Sequence, residues 1–323
     1  MKSVMKWLTE AEQPAIRYLA MRDLMDAEGS ELREAWKAIP ARGWVEQILR
    51  KRLPEGYWID GEDYFRPKYV STYWILLALS DFGVTKELPW LAKSAEMWRD
   101  AFAMRDGGFD TPDYPDRPAS EQCLTGNTAR ALTRFGYEDD PKVERAFDWL
   151  VKNQKPNGGW HCEGKDGVID GWEAMSAFAA YPRQKWTRGM KEAVERGLEF
   201  YLKRRLLHEG ARYDPWYRLH FPYHCFYDVL LGLEFVTALG GGNDPRAGEA
   251  IQLLRRRRLG DGRWPMDAIQ PDVLNGGKVP RGLRKFVCDG QKPLRFEAPG
   301  QPSKIITLRA LRVLKNLGEQ MPD

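Results

Sequence analysis

The chain has 323 residues, room for one large domain or two ordinary ones around a sizeable core. Lysine plus arginine number 50 against 46 aspartate plus glutamate, a formal net charge of +4, too even for a chain built mainly to hold nucleic acid. With 43% hydrophobic and 12% aromatic residues the chain is not disordered, and a mean hydropathy of −0.58 without a long uncharged apolar run excludes a membrane span.

The N-terminus, Met1 to Glu10, has no apolar h-region, so no signal peptide is expected and the cytoplasm is the expected location. Cys123, Cys162, Cys225 and Cys288 are too widely spaced for a disulfide scaffold and read as reduced thiols. The 13 tryptophans predict repeated structural anchors or an aromatic-lined cavity.

In chain order, an apolar-periodic helix is expected near 15–25. A more polar helix follows at about 44–53, then Gly56-Tyr57-Trp58, then a helix at 69–82 that is apolar on all faces. The same order recurs along the chain. Outer helices are expected at 90–104, from Pro141, at 191–207 and at 246–258, and inner ones at 124–135, 172–181, 224–239 and 305–317. Between them stand Gly107-Gly108-Phe109, Gly158-Gly159-Trp160, Gly210-Ala211-Arg212-Tyr213 and Gly262-Arg263-Trp264. The aromatics at 58, 109, 160, 213 and 264 are separated by 51, 51, 53 and 51 residues, which predicts a repeated unit of about 51 residues. Pro141 suits the first turn of a helix, and Val143, Ala146, Phe147, Leu150 and Val151 form its apolar stripe. No strand pattern is present.

Polar outer helices alternating with apolar inner ones predict an all-α closed ring of helical hairpins, because closure buries end repeats that an open solenoid would expose. One domain is expected over 1–323, with 265–302 inserted before the last inner helix. That insertion carries Lys278, Arg281, Arg284, Lys285, Lys292 and Arg295, and is expected to cover one mouth of the ring. Arg204-Arg205 and Arg255 to Arg258 fall late in outer helices, where cations suit the helix C-terminus.

The segment Ala146-Phe147-Asp148-Trp149-Leu150, Gln154, Gly158-Gly159-Trp160 resembles the QW repeat of squalene–hopene and related terpenoid cyclases. Gln252 with Gly262 and Trp264, and Gln47 with Gly56 and Trp58, resemble further copies. That superfamily includes the β subunits of protein prenyltransferases. The resemblance implies an (α/α)6 toroid whose centre is an aromatic cavity for isoprenoid chains. The residues expected to line it are Tyr69, Tyr73, Trp74, Trp172, Trp216, Tyr223, Phe226 and Tyr227.

The family's chemistry is only partly represented. A DxDD acid would fall near Lys68-Tyr69-Val70-Ser71, where no carboxylate stands. Asp60-Gly61-Glu62-Asp63 is similar but lies earlier, in a loop. A DDxxD motif is also absent, and Asp139-Asp140 reads as a helix start. Val168-Ile169-Asp170-Gly171-Trp172 and Tyr223-His224-Cys225 resemble the two zinc-binding segments of prenyltransferases, with Trp172 where the ligand cysteine belongs. If zinc is bound, the resemblance implies Asp170 and His224 as ligands, completed by Cys162, Cys225 or Cys123. Asp170 with Glu173 also reads as a helix cap. Two functions follow: an isoprenoid-binding or -transforming protein, prenyltransferase- or cyclase-like, or a non-catalytic helical ring that binds a lipid or a protein partner.

Overall fold

The computed structural model describes residues 3–59, 63–111, 119–269 and 294–321. Among these residues it is all-α. The helices are α1 (Val4–Leu8), α2 (Pro14–Asp23), α3 (Gly29–Lys37), α4 (Gly43–Leu49), α5 (Thr72–Ser80), α6 (Pro89–Phe102), α7 (Gln122–Arg134), α8 (Pro141–Lys152), α9 (Glu173–Ala180), α10 (Arg188–Lys203), α11 (Val229–Ala238), α12 (Gly248–Arg256) and α13 (Lys304–Asn316). The described residues contain no strand, only isolated bridges such as Trp160–Val168. Most of the 265–302 segment, together with Cys288 and Asp60 to Glu62, lies outside the described residues. No described helix is long and apolar enough to cross a membrane.

Two kinds of helix alternate. Every residue of α5 is buried, whereas α8 buries only Val143, Ala146, Phe147, Trp149 and Leu150 along one stripe. Asp140 starts α8 by accepting the Lys142 N–H at 2.8 Å, and Pro141 follows it at the first helical position. The more buried helices pack in sequence: α5 on α7, α7 on α9, α9 on α11, α11 on α13 and α13 on α2. Behind α5, Trp36 donates to the Gly83 carbonyl at 3.0 Å, and the Tyr18 ring of α2 sits against Gly83.

Hydrogen bonds staple the glycine–aromatic turns, at both ends in the Trp58 and Trp264 turns and at one end in the Phe109 and Trp160 turns. Each indole N–H of Trp58, Trp160 and Trp264 donates ten residues back, to Ile48, Leu150 and Leu254, at 2.9, 2.9 and 2.7 Å. The backbone N–H of Trp58, Phe109 and Trp264 each donates 2.9 Å to a threonine of the next buried helix, Thr72, Thr125 and Thr307. The backbone must reverse sharply here, and Gly56, Gly107, Gly158 and Gly262 all have φ between 85° and 118°. The fourth turn departs from the pattern. Tyr213 is 40% exposed, and Trp216, on a short 3₁₀ turn, takes the buried place. The expected helix at 224–239 starts only at Val229. Asp228 caps it by accepting from Leu231 at 2.8 Å, and His224 has φ +47°, outside the helical region.

At their C-terminal ends the buried helices are tied by charge. Asp81, just past α5, pairs with Arg309 of α13 at 2.8 Å and with Arg134 at the end of α7. Arg309 also reaches Glu234 of α11 at 3.3 Å, and Arg312 pairs with Asp23 at the end of α2. Burial alone would raise the Asp81 carboxyl, but Arg309 and Arg134 outweigh it and hold it down to about 2. A cleft of about 390 Å³ opens beside this network, lined by Arg22, Asp23, Arg134, Glu234, Arg312 and Lys315.

Candidate functional site

The opposite ends, where the buried helices begin, carry most of the predicted site residues. Tyr69 stacks on the His224 ring at 4.9 Å and 10°, and Trp74 meets both edge-on at 4.7 and 5.2 Å. Tyr73 adjoins Trp74 at 4.8 Å, and Phe226 lies 6.2 Å from Tyr69. Through His220 the cluster continues to Tyr223 at 5.1 Å, which contacts Trp172 at 6.2 Å. The Lys68 ammonium sits over Phe65 and Trp74 at 5.1 and 5.7 Å.

Two predicted members point elsewhere. Trp216 donates to Asp170 at 2.9 Å and packs on Tyr227. Tyr227 donates to the Leu206 carbonyl at 2.9 Å, toward the end of α10. Seven of the eight predicted lining rings are at most 4% exposed, and only Phe226 is half-buried. Among the described residues these rings pack against one another.

Polar groups are buried alongside. Asn127 donates to the His224 carbonyl at 2.9 Å, and Arg130 donates to Asn127 at 3.2 Å while lying 5.2 Å from the Trp172 ring. His220 contacts Asp228 at 2.8 Å. Burial, with His220 nearby, pushes His224 down to about 3, so its imidazole is neutral at physiological pH. Burial likewise pushes the Glu173 carboxyl well above the usual range. Glu173 is the first residue of α9 and Trp172 its cap, so the expected Asp170–Glu173 capping pair does not form.

The expected acids are structural. Asp63 accepts the backbone N–H groups of Phe65 and Arg66 at 2.9 and 2.6 Å in a tight turn. Ser71, not a carboxylate, precedes α5. Asp139 pairs with Lys185 at 2.7 Å, and Asp140 caps α8.

The zinc ligands implied by the resemblance are not assembled. Asp170 accepts from Trp216, His224 lies in the aromatic stack, and Trp172 offers no ligand atom. Burial pushes the Cys225 thiol up to about 11. Asp170, His224 and Cys225 share no three-ligand cluster among the described residues. The geometry instead brings Cys123 and Cys162 together with Glu121, a residue that no sequence motif singles out. The Cys123 N–H donates to Cys162 Sγ at 3.4 Å, and the Cys123 thiol donates to Glu121 Oε2 at 3.7 Å. Contact with the Cys123 thiol and with backbone N–H groups of the first turn of α7 lowers the Cys162 thiol to about 7.

No protein-family profile matches the chain, and no curated protein does. Solved structures similar to it include a type II terpene cyclase, MstE from Scytonema, with 16% identity over 97% of this chain and 88% of that one and a TM-score of 0.48. A protein from Actinoplanes gives 16% identity over 97% and 90% with a TM-score of 0.47, and a polysaccharide lyase 12% over 98% and 92% with 0.49. Likenesses this distant establish neither a family nor an activity.

Proposed function

We propose that the chain is an (α/α)6 toroid of about 51-residue units, in which α2, α5, α7, α9, α11 and α13 form the inner ring. On this reading it binds an apolar chain of the isoprenoid class at the aromatic end of that ring. The observation that carries the reading is the continuous cluster Tyr69, Tyr73, Trp74, His224 and Phe226, whose half-buried rim residue Phe226 meets solvent. The ring reading is supported by the sequential packing of the buried helices and by the repeated staples at the turns. Aromatic faces suit a prenyl chain, each buried CH₂ of which contributes about 0.8 kcal/mol. Entry requires Phe226 and Tyr69 to turn aside, because the rings now fill the space between them.

A non-catalytic binder is favoured over a cyclase by two features. Ser71 stands where a proton-donating acid would precede α5, and Asp63 is engaged by two backbone N–H groups. The test is tryptophan fluorescence titration with farnesol and geranylgeraniol, paired with native mass spectrometry. Saturable quenching at one equivalent, weakened at least tenfold in Phe226→Ala and Trp74→Ala with folding intact, is the expected result. Non-saturable quenching, or equal binding by both variants, refutes it.

A further inference from the structure

We propose that Glu121, Cys123 and Cys162 form a zinc site with an open fourth position at the start of α7. It keeps Cys123 and Cys162 from the candidates that the prenyltransferase resemblance names, and puts Glu121 in place of Asp170 and His224. The three ligand atoms lie within 4.8 Å of one another, drawn from two segments about 40 residues apart in the chain. Zinc bonds of about 2.3 Å to sulfur and about 2.0 Å to oxygen give a tetrahedral S–O edge of roughly 3.5 Å. The observed Cys123 Sγ–Glu121 Oε2 separation is 3.7 Å, so closing on an ion needs a movement of only a few tenths of an ångström. Two sulfurs and one carboxylate are a donor set for a borderline-soft divalent ion rather than for magnesium or calcium, which take oxygen.

Both supporting segments are anchored. Gln122, between the two ligands on α7, donates to the Asn153 carbonyl at 2.8 Å and fixes the first turn of α7 against the end of α8. Cys162 follows Trp160, whose indole is held by Leu150 at 2.9 Å. The Cys123 N–H directed at Cys162 Sγ supplies the outer hydrogen bond that metal thiolates commonly receive. Cys162 is exposed and Glu121 and Cys123 are half-buried, so an ion can enter from solvent and keep a water as its fourth ligand. On binding, the two thiols lose their protons to solvent and the zinc–sulfur bonds form, with no change of oxidation state.

The experiment uses the full chain, reduced with a phosphine and stripped with a chelator, and Co²⁺ alone as the probe. Four thiols per chain should titrate beforehand. One equivalent of Co²⁺ should give a thiolate-to-cobalt charge-transfer band that Zn²⁺ abolishes. Cys123→Ser and Cys162→Ser should each weaken binding at least tenfold, Glu121→Gln should weaken it by about tenfold, and Cys225→Ser should leave it unchanged. A second readout needs no variant: bound Zn²⁺ should protect Cys123 and Cys162, but not Cys225, from alkylation mapped by mass spectrometry. The proposal is overturned by the absence of a charge-transfer band in the reduced protein, or by a band undiminished in Cys162→Ser. Loss of the band in Cys225→Ser, equal alkylation with and without zinc, or a Cys123–Cys162 disulfide that survives the phosphine also overturns it. None of these readouts depends on prenyl binding, so either proposal can fail alone.

Discussion

Gly126, in the middle of α7, marks the closest approach of α7 to α9. A Cβ added there would stand 2.7 Å from the carbonyl carbon and Cβ of Glu173 and 2.8 Å from the Ala174 nitrogen. Ordinary contact between carbons is about 3.5–4.0 Å, so α9 would have to withdraw by roughly 1 Å. In an isolated helix, Gly→Ala gains about 1 kcal/mol. Overpacking costs about 1–3 kcal/mol, and here the upper end applies because the obstruction is backbone, which cannot rotate away. The steric cost exceeds the gain in helix propensity, and Gly126→Ala should lose roughly 2 kcal/mol. The assay is urea unfolding read by tryptophan fluorescence, with a lowered midpoint and an unchanged slope expected. Gly248→Ala is the control. It opens α12, its added Cβ meets nothing within 4 Å, and it should gain about 0.5 kcal/mol. A Gly126→Ala midpoint at or above the wild-type value would refute the claim that α7–α9 contact is limited by backbone.

Trp58→Phe, Trp160→Phe and Trp264→Phe should each lose about 1–3 kcal/mol in the same assay, because each removes an indole hydrogen bond and leaves a gap where the larger buried ring stood. Losses differing by more than about 2 kcal/mol among the three would show that the turns are not equivalent. Asp81→Asn should cost about 3–5 kcal/mol, since it removes the carboxylate shared by Arg309 and Arg134, and a thermal midpoint within error of wild type would exclude a central role for that network. His224 is held neutral down to about 3 when folded, whereas the unfolded chain binds its proton from about 6.5. Its folded pKa is lowered, so unfolding takes up a proton throughout that window, and stability falls as pH drops, by at most about 1.4 kcal/mol per pH unit. His224→Asn should flatten the slope between about pH 6 and about pH 5, above most carboxylate titrations, and an unchanged slope would place the buried proton acceptor elsewhere.

The alternation of buried and half-buried helices was legible because burial writes itself into periodicity: Tyr73 to Leu79 admits no polar face, and Val143 to Leu150 admits only one apolar stripe. The turns were legible because glycine and an aromatic recur together. What periodicity missed is what it does not encode. Helix α1 is apolar but only five residues long, too short to show a period, and α3 buries only Ala35. The threonines that receive the turn N–H groups carry no signal of their own: Thr72 stands before an apolar run, and Thr125 among other polar residues. The late start of α11 is set by Asp228 and by His224 at φ +47°, a capping event inside a segment whose composition is helical throughout. Of the eight aromatic residues expected on or before inner helices, only Tyr73 and Trp74 lie within one, and whether rings line a space or fill it depends on rotamers and inter-helix distance, neither of which sequence specifies.

The pairing of Cys123 with Cys162 has a simpler origin, one that helix lengths contain. From Cys123 the chain runs down α7, 13 residues or about 20 Å, and returns along α8, 12 residues or about 18 Å. Matched lengths bring it back to the level at which it left, so a residue opening a buried helix lies beside the residues just past the next glycine turn, about 40 positions on. The same matching sets contacts between successive outer elements: Ser94 donates to the Gly56 carbonyl 38 residues away, and Gln154 donates to the Ala193 carbonyl 39 residues away, both buried or half-buried contacts. Antiparallel helices of matched length therefore fix which residues meet at their ends. Cys123, in the first turn of a buried helix, and Cys162, following the next glycine turn, are placed together by the matched lengths of α7 and α8, and Glu121, the N-cap of α7, comes with them.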